Sequence, residues 1–293
     1  YMLIVGSTIS ENTSGNTGGG ISSSSPLVIE NTSITDNAAR VGGGISSSSQ
    51  LTVSTTTISG NSARSIGGGI RINSNKVLLS NCTIGENSAE SGGGIDNSGT
   101  LTVHNSTIYG NSASLYDGGG VRSLNTFNVM NVTFSGNTAV AGGGGIAVLN
   151  SGSVFYATNA TIAANHAANA GGIIAGNDGS VVLLNSIVAD NSDSVDSDIS
   201  GAMGGTVTSL GHNLVGTVST ISVGWQASDL LGESAGLAPL ANYGGTTATM
   251  RPYLGSPVID AGTTVSTTTD QRGYIRNAGS TSDIGVVETN YQF

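Results

Sequence analysis

Glycine clusters followed by a β-branched residue recur along this chain at a nearly fixed interval. The residue after each cluster is Ile21, Ile45, Ile70, Ile95, Val121, Ile146 and Ile173, with steps of 24, 25, 25, 26, 25 and 27 residues. A period near 25 that absorbs one or two extra residues is incompatible with a helical heptad, which loses register on such an insertion. It predicts a solenoid, in which each repeat is one turn of chain stacked on the last.

The stretch from Leu101 to Val121 shows how one turn is built. Leu101 and Val103 alternate with Thr102 and His104, the pattern of a strand with one buried face. Asn105 marks a bend, Thr107 and Ile108 form a second short strand, and Gly110-Asn111 turn again. Ala113 then points inward where space is small, and Gly118 to Gly120 lead into a third strand starting at Val121. The same phases recur in the neighbouring turns. Ile34, Ile58, Ile84 and Ile108 form one inward rank, and Ala39, Ala63, Ala89, Ala113, Ala139 and Ala167 form a smaller one. The expected fold is all-β: a right-handed parallel β-helix with three short strands per coil and about 25 residues per coil.

Two ranks of asparagine accompany the apolar ranks. Asn12, Asn37, Asn61, Asn87, Asn111, Asn137, Asn165 and Asn191 form the first. Asn31, Asn81, Asn105, Asn131, Asn159 and Asn185 form the second, with Thr55 standing in once. Asparagine tolerates left-handed backbone angles, and stacked amides can hydrogen-bond from one coil to the next. The glycine clusters occur in every coil, which favours a structural role over a local ligand site.

Composition narrows the partners. The net charge is −10, with one lysine, Lys76, and seven arginines. A nucleic-acid-binding surface needs a basic stripe, and none is visible. No apolar run approaches the roughly 20 residues that a membrane helix requires. A single cysteine, Cys82, excludes an internal disulfide. Tyr1 to Val5 reads as one strand of an incomplete first coil, so the chain is expected to begin inside a longer protein.

After Asn191 the period becomes irregular, so residues 1–191 are read as regular coils and 192–293 as irregular coils and a cap continuous with them. Asp190, Asp193, Asp196 and Asp198 form an acidic patch, read as a solvated loop. Further on come Ser256-Pro257-Val258-Ile259-Asp260-Ala261-Gly262, Asp270-Gln271-Arg272-Gly273, and Asp283-Ile284-Gly285-Val286-Val287-Glu288. This ordered series resembles the end of bacterial surface β-helix proteins of the choice-of-anchor Q type. The Asn and Gly-Gly-Ile repeats are similar to those of polymorphic outer-membrane adhesins. The resemblance implies a secreted or surface-displayed protein. Its sorting segment would follow Glu288, where only Thr289 to Phe293 stand here. Arg272 and Arg276 lie among Asp260, Asp270, Asp283 and Glu288, the makings of an ion-pair network closing the open end of the solenoid.

Parallel β-helices also host polysaccharide lyases and hydrolases, which need converging carboxylates or a basic residue beside Ca²⁺ ligands. Asp36, Glu86, Asp96, Asp117 and Asp178 read as occupying different phases, and Arg40, Arg64 and Arg71 do not converge with them. His104, His166 and His212 are equally scattered. No catalytic residue, metal ligand or cofactor is therefore assigned. The expected function is an extracellular or cell-surface structural and adhesive protein. Its expected partners are polysaccharide, cell surface or matrix, or other copies in an end-to-end filament. The alternative is a polysaccharide-binding or polysaccharide-degrading enzyme. A more remote one is ice binding by the hydroxyl rank Thr8, Ser33, Thr57, Thr83, Thr107, Thr133 and Thr161.

Overall fold

The computed structural model describes residues 1–194, 197–217, 223–265, 267–276 and 281–289. Its strands form three sheets of 18, 8 and 6 strands that wrap one interior, with every pairing between these strands parallel. Repetition by a fixed period brings like residues together across neighbouring strands. Ile45 pairs in register with Ile21 and Ile70, and Ile84 with Ile58 and Ile108. Ile34, Ile58, Ile84 and Ile108 are fully buried. The stack widens at Phe127 and Phe155, whose rings stack with centroids 4.9 Å apart.

The cross-section has the expected three sides, with a different internal division. The first two strand ranks belong to one bent sheet, and in two coils they are continuous, as Leu101–Tyr109 and Thr126–Ser135. The alanine rank is itself a short strand, such as Ser112–Ala113, and builds the smallest sheet. Its Ala side chains are inward and at most 7 % exposed.

The bend in the large sheet explains the second asparagine rank. Asn31, Asn81, Asn105, Asn131, Asn159 and Asn185 all have φ between 48° and 53° or at 55° for Asn131. This left-handed region is open to asparagine at little cost. Thr55 occupies the same bend at φ 47°, where a β-branched side chain is strained. Thr55 is exposed. Thr55→Asn is therefore expected to stabilise the protein by about 1 kcal/mol, read as a higher melting temperature by circular dichroism.

Each glycine of a cluster has its own steric reason. The first, such as Gly67 or Gly92, turns at φ 68° or 60°. A Cβ on the second would enter the backbone of the next coil: at Gly93 it would lie 2.6 Å from the carbonyl oxygen of Gly119. A Cβ on the third would lie 2.7 Å from the next glycine carbonyl and against an asparagine amide, as at Gly69. The clusters are thus where backbone passes closest to backbone, and a structural role accounts for them fully.

Pairing onto the large sheet continues to Leu230–Leu231. The described residues of 235–289 then run back along the outside of that sheet instead of covering its end. Gly285 N–H donates to the Asn185 carbonyl, Asn159 to Thr267 Oγ1, Asn131 to the Thr269 carbonyl, and Gln271 Nε2 to Thr107 Oγ1. The expected end cap is in fact a strap along the flank. It buries Thr107, Thr133 and Thr161 completely, whereas Thr8 and Thr57 stay exposed. The hydroxyl rank is consequently divided, and the long flat face required of an ice-binding surface does not exist. Among the described residues, no helix is long and apolar enough to cross a membrane.

Candidate functional site

Two polar ladders run along the solenoid, one continuous and one interrupted, and the candidate site lies at the end they run towards. In the first, the Oδ1 of each asparagine accepts both the backbone N–H and the Nδ2 of the asparagine one coil earlier. Asn111 donates both to Asn137 at 3.0 and 2.9 Å, and Asn137 repeats this with Asn165. Asn37, Asn61 and Asn87 follow the same pattern. The residue before each rung, such as Asp36, Glu86 or Asp190, takes the left-handed turn, so the first rank itself is free to bond along the axis.

The second ladder has no counterpart in the sequence reading. It follows the bend: Thr32 N–H donates to Thr56 Oγ1, Cys82 N–H to Ser106 Oγ, and Ala160 N–H to Ser186 Oγ. Its signal was the hydroxyl or thiol directly after most bend residues, Thr32, Thr56, Cys82, Ser106 and Ser186, with Val132 and Ala160 interrupting the series. Burial pushes the Cys82 thiol up to about 11, which keeps it protonated and unreactive.

Both ladders end on a carboxylate. Asn191 gives its N–H and Nδ2 to Asp198 Oδ1, each at 2.8 Å, and Thr217 N–H binds the other oxygen at 2.7 Å. Asn213 gives the same two donors to Asp229 Oδ1, at 2.9 and 3.1 Å. Amides aligned head to tail present their positive ends to the last rung, as a helix does at its N-terminus. An acceptor-only carboxylate satisfies that end and leaves no donor over. The acidic patch is thus not a solvated loop. Asp193 and Asp198 are buried, and Asp193 accepts from Ala170 N–H and Ser197 N–H. Asp190 is exposed, and Asp196 lies outside the described residues.

Beside Asp198 opens a cleft of about 740 Å³. Its walls include Trp225, Leu231, Asp190, Asp198, Glu233 and Ser234. Trp225 is half-buried against the core, and Ser234 Oγ donates to Asp190 Oδ1 at 2.9 Å. Desolvation raises the Asp198 carboxyl above the usual range; the bonds from Thr217 and Asn191 oppose this, and the charge of Asp190 adds to it.

A second cluster corrects the reading that the arginines and acids do not converge. Arg71, Asp96 and Arg122 each follow the repeated Ile or Val, and in-register pairing sets them side by side. Fully buried Asp96 meets Arg71 Nη1 and Arg122 Nε, each at 2.6 Å. Arg71 Nη1 also donates to Ser98 Oγ and the Ile72 carbonyl. Both Asp96 oxygens are thereby engaged, which fits a clasp across three coils.

The residues expected to form the C-terminal network do come together. Arg272 grips Asp270 Oδ2 through Nε and Nη2, at 2.9 and 2.7 Å. Asp283 Oδ1 accepts Asp260 N–H, Glu288 Oε2 accepts Asp283 N–H, and Asp270 Oδ2 accepts Glu288 N–H. Buried Arg276 lies 3.8 Å from Glu288 and donates to Asn131 Oδ1, tying the strap to the bend in the large sheet. His104, His166 and His212 remain apart. His212 takes the last bend, and His166 meets Ser192.

A family model described as the right handed beta helix region matches residues 57–191. The fold is a right-handed parallel β-helix. No curated protein and no solved structure matches the chain. The match covers regular coils only; the strap lies beyond it, and so does most of the cleft lining, Asp190 and Asn191 standing at its last residues.

Proposed function

We propose that this β-helix is an extracellular, surface-associated adhesive rod that holds polysaccharide in the cleft beside Trp225. The cleft itself carries the reading. About 740 Å³ falls in the range of ligand sites. It combines an indole, on which the apolar face of a sugar can lie, with carboxylates and a hydroxyl able to bond sugar hydroxyls. The regular coils act as a stiff spacer with a low-charge surface. The C-terminal elements support surface display through their resemblance to choice-of-anchor Q proteins. Growth into a filament through the cleft end is not part of the reading. Asp198 and Asp229 end the ladders there with acceptors, so a further rung finds no donors.

Asp198 favours a second reading as a hydrolase, because a carboxyl raised by burial beside another carboxylate is the setting of a general acid. Binding is preferred because both Asp198 oxygens already serve the backbone and the ladder.

Trp225 is the sole tryptophan, so its fluorescence reports on this cleft alone. Titration with soluble neutral oligosaccharides is expected to give a saturable change, and Trp225→Ala is expected to abolish the binding heat seen by titration calorimetry. The absence of any response to all oligosaccharides tested, from folded protein, would refute the binding reading. Release of new reducing ends would establish the hydrolase instead.

A further inference from the structure

We infer that the cleft selects amino sugars carrying a free ammonium group over neutral and acidic sugars. This rests on the reading of the cleft as a carbohydrate site and names its substrate class. Between Arg122 and Arg251 the chain contains seven acidic residues and no lysine or arginine. Three of the acidic residues, Asp190, Asp198 and Glu233, line the cleft, and none of its lining residues is basic. Asp190 and Glu233 are exposed on its walls, while Asp198 stands buried behind them. A carboxylate or sulfate on a sugar ring entering this cleft would face like charge at close range and find no cation to pair with. An ammonium group meets complementary charge from the two exposed carboxylates, with the buried Asp198 behind them. Trp225 adds a ring face that attracts cations as well as sugar C–H groups.

The position of the carboxylates gives each a part. Glu233 and Asp190 are available to a ligand, since Asp190 uses Oδ1 for Ser234. Asp198 contributes field only, both its oxygens being engaged.

The test is Trp225 fluorescence titration at low and high salt with four probes: a glucosamine hexamer, its fully N-acetylated counterpart, a galacturonate hexamer and a linear polyamine. The glucosamine hexamer is expected to bind about tenfold more tightly than the acetylated one, with the advantage shrinking as salt rises. Glu233→Gln is expected to remove about three- to fivefold of that advantage and leave affinity for the acetylated hexamer unchanged. Unaltered thermal unfolding will confirm that the variant is folded. Equal binding of the two hexamers would overturn the preference and leave the carbohydrate reading standing. Polyamine binding as tight as that of the glucosamine hexamer would overturn amino-sugar recognition in favour of charge alone. Tight galacturonate binding, with or without added Ca²⁺, would overturn it from the other side. Silence from all four probes would remove the carbohydrate reading itself.

Discussion

Ile108→Asp is expected to abolish the cooperative thermal transition of the rod. Ile108 is fully buried, and in-register pairing places it between Ile84 and Phe134. A carboxylate there has no cation or donor and must either remain unsolvated or take up a proton. Removing a charge from water without a partner costs several kcal/mol, comparable to the whole stability of an ordinary domain. Because each coil draws its stability from its neighbours, the damage also spreads along the stack. Thr102, six residues earlier, faces outward and is only partly covered. Thr102→Asp should shift the melting temperature by no more than a few degrees. Similar melting of the two variants would mean that the inward and outward faces are wrongly assigned.

Gly119→Ala should be nearly as damaging, although it adds one methyl group and no charge. The new Cβ would sit 2.5 Å from the Gly144 carbonyl oxygen of the next coil and closer still to that of Thr138. Neither is a flexible side chain that can swing aside, so the two coils must separate locally and break ladder hydrogen bonds. The expected cost is about 3 kcal/mol or more. Gly15→Ala is the matched control, because a Cβ there meets nothing within 4 Å. It should change stability by less than about 0.5 kcal/mol in either direction. Equal effects in chemical denaturation would contradict the close coil-to-coil approach at the glycine clusters.

What could be read from the chain was whatever the period repeats. Ile34 to Ile108, Ala39 to Ala167 and Asn37 to Asn165 recur at one phase, so repetition alone placed them in stacked ranks. The Arg71–Asp96–Arg122 clasp obeys the same rule but mixes charge signs, and a search for identical residues passes over it. Thr107 and Thr57 show the opposite difficulty. They occupy the same phase, yet one lies under the strap and the other in solvent. A threonine is at home in either place, so the chain carries no local sign of which flank is covered. The partners of the strap lie far away in sequence, as Gln271 and Thr107 do, and no periodicity links them. The cleft was hidden for a related reason. Trp225 and Glu233 belong to the irregular coils, where spacing says nothing about their proximity to Asp190.

The in-register parallel stack is tested most directly by disulfide trapping across neighbouring coils. Thr102 pairs with Asn128, and Asn128 with Tyr156, on the outward side of the large sheet. Adjacent strands lie about 4.8 Å apart, within the reach of a disulfide, whereas strands two coils apart exceed about 7 Å and cannot be bridged. Under mild oxidation Thr102→Cys with Asn128→Cys should link efficiently within one chain, and Thr102→Cys with Tyr156→Cys should not. Cys82 is buried with its thiol pushed up to about 11, so it will not compete. Linking in the second pair and not the first would contradict the stack.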